Sequence, residues 1–222
     1  LPAPEETGTL VLPGLDAVAG VAALSAAMGS PFTVSGAAWV PADAVGRVPG
    51  LDGVAGSATL IRIEDFSKSV RYRIGRLRDQ FAVAGAVVLD TAASKAAWKA
   101  VRDAVPLAPA DGDAVWRVSV RPSSGPSVLA ALAGRGVSGF LDWSGGLVWL
   151  TGAADEATHS AVEAAAQAAK GTWTLLRGPE ALRAAVRVVP AEAPALAAIT
   201  REVKAAMDPA GILNPGRLYA GL

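Results

Sequence analysis

Apolar and polar positions alternate along the chain with two periods, and the order in which the periods change predicts the elements. Thr7 to Pro13 (TGTLVLP) is a short apolar run closed by Pro-Gly, and it reads as a strand. Leu15, Val18, Val21, Leu24 and Met28 then recur at helical spacing until Gly29-Ser30-Pro31 breaks the pattern. Pro31 to Val40 and Ser57 to Phe66 have the character of strands, separated by a Gly/Pro-rich connection. Ser67 is placed to cap a helix whose Val70, Ile74, Leu77 and Phe81 form one stripe, and Gly85 to Asp90 closes the series as a strand. The predicted order is βαββαβ.

A linking helix over Thr91 to Val105, with Ala97, Trp98, Val101 and Val105 inward, leads into the loop PLAPADGD. The order then begins again. Asp113 to Arg121 reads as a strand, Ser123 to Ala133 as a helix, and Val137 to Asp142 with Leu147 to Thr151 as a strand pair around Ser144-Gly145-Gly146. Asp155 caps a helix to Lys170, and Thr172 to Arg177 is the closing strand. This pattern predicts an α+β fold of two ferredoxin-like βαββαβ units forming antiparallel sheet with helices on one face. The expected divisions are 1–90 and 113–178 for the units, 91–112 for the link, and 179–222 for a C-terminal helix and tail. In that helix, Glu192 to Met207, the residues Leu196, Ile199, Val203 and Met207 are expected to face inward. Asp208-Pro209 should end it, and the Asn214-Pro215-Gly216 turn should lay Arg217 and Tyr219 on a neighbouring surface.

Composition narrows the function more than the fold. The 222 residues are 52% hydrophobic with 20 basic and 20 acidic side chains, so long-range attraction to nucleic acid or an anionic membrane has no basis in net charge. With no cysteine, this chain supplies neither thiolate catalysis nor iron–sulfur ligands. No apolar run of about 18 residues suggests a membrane span. The chain opens on Leu1-Pro2-Ala3-Pro4 rather than Met, and a longer native polypeptide is expected.

Several motifs invite a chemical reading. GRGVSG, Gly134 to Gly139, has the letters of G-x-G-x-x-G, but it follows a helix and opens a strand, the reverse of what a pyrophosphate cradle needs. His159, the only histidine, is expected as a surface or partly buried helix residue, and no metal is expected. Arg71, Arg73, Arg76 and Arg78 fit the solvated face of their helix. In VWRVSVR, strand parity sends Trp116, Val118 and Val120 to one face and Arg117, Ser119 and Arg121 to the other. LIRIE likewise separates Ile61 and Ile63 from Arg62 and Glu64. The polar face so formed meets either water or a second domain. In LDWSGGLVWL, hairpin geometry accounts for the glycines and cross-strand packing for Trp143 and Trp149.

Taken together, VWRVSV, DWSGGLVWL and DPAGILNPGRLY resemble the C-terminal region of the glycolate oxidase E subunit, within the FAD-linked oxidases related to vanillyl-alcohol oxidase, and LPAPEETGTLVL resembles the junction with that family's FAD-binding domain. The resemblance implies a cap domain standing over a flavin held by an N-terminal FAD-binding domain that this chain lacks. It implies FAD in the full-length protein and none bound to this chain alone. The implied partners are a catalytic flavin subunit and an iron–sulfur subunit, and the implied reaction is oxidation of glycolate, or another 2-hydroxy acid, to the oxo acid. The implied location is cytoplasmic, peripheral to the inner membrane through the complex. On this reading Arg62, Arg117, Ser119 and Arg121 face the substrate, and Asn214, Pro215, Gly216 and Arg217 close onto the FAD domain. The competing reading is a free-standing duplicated ferredoxin-like module that binds a ligand or protein without redox chemistry.

Overall fold

The computed structural model describes residues 3–216 and 219. Its eight strands are β1 (Glu6–Pro13), β2 (Gly36–Val40), β3 (Ala58–Asp65), β4 (Val87–Leu89), β5 (Ala114–Ser119), β6 (Ser138–Asp142), β7 (Leu147–Gly152) and β8 (Thr172–Arg177). They form one sheet in the order β4-β1-β3-β2-β6-β7-β5-β8, antiparallel throughout. Each half repeats the order 4-1-3-2 of a split βαβ unit, and the second strand of each unit meets its counterpart at the centre. That seam rests on one register pair, Trp39 with Leu141, so the halves join through side-chain packing more than through a ladder.

Helices α1 (Ala17–Met28), α2 (Ser67–Phe81), α4 (Gly125–Leu132) and α5 (Glu156–Ala168) cover one face, as the pattern predicts. Between them and the sheet runs a continuous core that includes Leu10, Leu24, Leu77, Trp116, Leu132 and Val162. The linking helix α3 (Thr91–Arg102) lies on the opposite face, together with the loop carrying Val45, Val48 and Leu51. They bury a second core around Val11, Val40, Leu60, Val101 and Phe140. In consequence β1 is buried on both faces, and Leu10, Val11 and Leu12 are all fully buried. That explains its unbroken apolar run.

Three helices start on an aspartate whose carboxylate accepts from a backbone N–H three residues on: Asp16 from Ala19 at 2.8 Å, Asp90 from Ala93 at 2.9 Å, and Asp155 from Thr158 at 2.7 Å. The cap expected of Ser67 does not form. Phe66 occupies the cap position, and the Ser67 N–H donates to the Glu5 carboxylate instead. Nearby, Asp65 accepts from the Phe66 N–H and pairs with Arg73 at 2.6 Å, interactions that hold its carboxyl below the usual range.

The C-terminal segment departs most from expectation. A short helix, α6 (Glu180–Ala185), precedes α7 (Pro194–Met207), and α7 buries none of its residues. Leu196, Ile199, Val203 and Met207, expected inward, are 58%, 56%, 55% and 78% exposed. Their spacing is that of an amphipathic helix, but nothing among the described residues covers the stripe. Asp208 does end the helix: its carboxylate accepts from the Ile212 and Leu213 N–H groups and pairs with Lys204, which holds it below the usual carboxylate range.

Candidate functional site

On the face opposite α1, α2, α4 and α5, the shelter of α3 stops at the middle of the sheet. A groove of about 860 Å³ opens there, within the size range of ligand sites. β3 contributes Arg62 and Glu64, α3 contributes Lys95, Trp98, Lys99 and Arg102, and β5 contributes Arg117. The end of β6 and the following turn supply Asp142, Trp143 and Ser144, and β7 supplies Leu147 and Trp149. Among the described residues, five basic side chains therefore line it against two carboxylates.

Arg62 and Arg117 reach the groove through parity: Ile61, Ile63, Trp116 and Val118 go to the helix-side core, and the residues between them go to the other face. Their surroundings differ. The Arg62 guanidinium lies 4.9 Å from the Trp98 ring centroid, its Nε is 3.1 Å from the Glu64 carboxylate, and it donates to the Ser35 carbonyl at 3.0 Å. Gly36 makes room for this stack, since a Cβ there would lie 3.0 Å from Trp98 and 3.1 Å from Arg62 Nε. Arg117 sits over Trp149 at 5.4 Å and Trp143 at 6.0 Å, with no hydrogen bond or ion pair among the described residues. Its rings hold the cation by their quadrupoles and leave its N–H groups available.

The turn after β6 is strained. Trp143, Ser144 and Gly145 have φ of 50°, 60° and 97°, a run of left-handed residues that non-glycine side chains disfavour. Asp142 steadies it by accepting from the Trp143 N–H at 2.7 Å. Gly145 is required because a Cβ there would lie 2.6 Å from the Pro122 carbonyl oxygen. The turn leaves Trp143 61% exposed beside Arg117. Trp143 is thus not a cross-strand packing residue, whereas Trp149 is, paired with Phe140 and stacked on it at 6.3 Å.

Burial pushes the Asp142 carboxyl up, against the opposing pull of the Trp143 N–H and of Arg62. Three buried polar atoms at the groove have no hydrogen-bond partner among the described residues: Thr7 Oγ1, Ser144 Oγ and Trp149 Nε1. Buried polar atoms are ordinarily satisfied, so their convergence on one groove indicates a place where water or a ligand supplies the missing partner.

Other expected site residues are not brought together here. Ser119 ends β5, exposed and outside the groove lining, and Arg121 lies beyond the strand, exposed, where the chain turns into Pro122–Ser124. Asn214, Pro215 and Gly216 are exposed, with Asn214 at φ 48° and Gly216 at φ 68°, far along the chain from any groove residue. Arg217 lies outside the described residues. His159 is in the helix-side core and 3% exposed, more buried than expected. Its Nδ1 accepts from Trp116 Nε1 at 3.1 Å and its ring meets Trp173 edge-on at 4.9 Å; burial pushes its pKa down. No local sequence pattern marks Asp142, Ser144 or Lys95 as site residues; Trp98, expected inward, donates its indole N–H to Thr9 Oγ1 at 3.0 Å.

The family model described as FAD linked oxidases, C-terminal domain matches residues 188–218. That stretch is similar to an FAD-linked oxidase terminus. It takes in α7 and the Asn-Pro-Gly turn, the segment whose apolar stripe is uncovered. No curated protein matches the sequence. Among solved structures, the fold is similar to that of 4-ethylphenol oxidase from Gulosibacter chungangensis in its isoeugenol complex, at 14% identity and a TM-score of 0.60. The alignment covers 99% of this chain and 55% of that one, so this chain spans about half the length of the oxidase it matches. At that identity the similarity is one of fold.

GRGVSG does not act as a phosphate cradle. Gly134 and Gly136 take positive φ in the turn after α4, and Gly139 lies in β6, where a Cβ would meet the Trp149 carbonyl oxygen at 2.3 Å. A dinucleotide therefore finds no pyrophosphate site at this motif; the features that suit a ligand, three indoles and unpaired buried polar atoms, lie in the groove.

Proposed function

We propose that this chain is the substrate-side cap of an FAD-dependent oxidoreductase that oxidises 2-hydroxy acids, glycolate among them, with the flavin held by a domain outside this chain. The observation that carries the reading is the groove itself: an arginine with free donors and unpartnered buried polar atoms gathered on the one part of the sheet that α3 leaves open. The terminal family match and the fold similarity supply the flavin context. Bound flavin supplies the hydride acceptor; the protein orients the acid and excludes water. Arg117 is the residue we assign to the substrate carboxylate, because its guanidinium is held in place by indoles and offers a planar pair of donors. Arg62, already paired with Glu64, shapes the wall and contributes charge. Membership of a complex with a catalytic flavin subunit and an iron–sulfur subunit, placed in the cytoplasm at the inner membrane, belongs to the same proposal and rests on the sequence resemblance. Ser119 and Arg121, expected to face the substrate but outside the groove, are reassigned to the surface that meets the FAD domain, where the Asn214–Arg217 segment stays assigned.

The test uses the full-length polypeptide. It should purify with a flavin absorbance band, and Arg117→Ala should raise KM for glycolate roughly 10- to 100-fold, the loss of hydrogen bonds to a charged group. A full-length protein without flavin would favour the free-standing binding module, and an unchanged KM would remove Arg117 from the site.

A further inference from the structure

Oxidation of a hydroxy acid requires a proton acceptor as well as a hydride acceptor, and the groove limits the choice. His159 is on the other side of the sheet, buried against Trp116 and Trp173. Among the described residues, only two carboxylates line the groove, Glu64 and Asp142. Glu64 is occupied by Arg62 at 3.1 Å. Asp142 uses Oδ1 to accept from the Trp143 N–H, and no hydrogen bond or ion pair among the described residues engages its Oδ2. It is fixed at the end of β6 by a strained turn that a rigid site can hold, beside Ser144, whose buried hydroxyl has no partner.

We propose that Asp142 is the catalytic base of this groove, taking the hydroxyl proton of the bound 2-hydroxy acid on Oδ2. The inference rests on the functional reading above. In the step, the substrate O–H bond breaks with its proton passing to Asp142 Oδ2, the α-C–H bond breaks with its hydrogen leaving as hydride to the flavin, and the carbon–oxygen double bond of the oxo acid forms. The flavin is the oxidant, so charge and atoms balance. A carboxyl pushed up by partial burial holds a proton more readily than an exposed aspartate does, which makes it the stronger base. The charged groups that line the groove with it are Arg62 and Glu64 from β3, Arg117 from β5, and Lys95, Lys99 and Arg102 from α3, the last two paired with Asp103. Of these, Arg62 favours the carboxylate form, against the burial that raises it.

Asp142→Asn keeps the shape and the acceptor for the Trp143 N–H. In the full-length flavoprotein it should lower kcat on glycolate by about 10²- to 10⁴-fold and leave KM within about threefold. The acidic limb of the wild-type kcat profile, which falls as pH drops through the Asp142 pKa, should vanish in the variant. Independently of turnover, carbon NMR of labelled aspartate carboxyls should show Asp142 titrating above the ordinary aspartate range. Unchanged kcat, survival of the acidic limb, or an ordinary Asp142 titration would each overturn the assignment. These outcomes are separable from failure of the functional reading, which shows instead as a missing flavin or an Arg117→Ala variant with unaltered KM.

Discussion

β1 and β5 are the first strands of their units and sit next to the fourth strand in each, but they are buried differently. In β1 the run Leu10, Val11, Leu12 is wholly buried because helices α1 and α2 lie on one side and α3 with its neighbouring loop on the other. In β5, Trp116 and Val118 are wholly buried, whereas Arg117 between them faces the groove and Ser119 is exposed. A duplicated fold has thus been made unequal by one linking helix. The first strand of the first unit is buried on both faces, whereas that of the second turns Arg117 into a groove whose other wall comes from β3.

Substitutions on adjacent residues of β5 test that division most strongly. Trp116→Ala empties the helix-side core and leaves His159 Nδ1 without its donor, and it should cost about 3–5 kcal/mol in urea denaturation. Arg117→Ala, one residue on, removes only cation–π contacts and should cost about 1 kcal/mol or less. Equal losses would mean that the groove face also carries the fold. The next contrast is between helices. Val162→Ala in α5, which removes a fully buried side chain, should cost about 2 kcal/mol, while Ile199→Ala in α7 should change stability by less than about 0.5 kcal/mol. A comparable loss from Ile199→Ala in this chain would show that the α7 stripe is already covered.

The smallest effect concerns pH. Burial lowers the folded-state pKa of His159 from 6.5, so folding favours its neutral form. That contribution is present above 6.5, and it is lost as pH falls through the lower folded-state value, because the unfolded chain then binds the extra proton. Denaturation midpoints should decline on acidification from about pH 7 to 5, and His159→Gln should flatten the decline. The groove side has no histidine among its lining residues, and its raised Asp142 carboxyl acts in the opposite sense, favouring the folded state as pH falls.

Much of the architecture was legible because strand and helix periods are local properties. The runs TLVL and WRVS report how many faces each strand buries, and Asp155 marks a helix start through a hydrogen bond that spans three residues, as Asp16 and Asp90 also prove to do in the structure. Parity also separated Arg62 and Arg117 from the core. Parity failed for Arg121, because β5 ends at Ser119, and the stripe of α7 could not reveal whether anything covers it. For the tail, the sequence marked a turn but not its contacts: Asp208 ties residues 212 and 213 back to the helix end, and Asn214 stays exposed.

By itself, the sequence determined the order of elements, the duplicated unit, the orientation of side chains along β3 and β5, and the misfit of GRGVSG to a phosphate cradle. Each follows from backbone geometry within a few residues. The tertiary structure alone decided that α3 crosses to the opposite face and stops at mid-sheet, and that Arg117 is held by two indoles while Arg62 is paired. It also brought Asp142, Ser144 and Trp149 into the same groove as Lys95 and Trp98. Those juxtapositions join residues from distant parts of the chain, and they depend on which surfaces the packing of two units leaves uncovered.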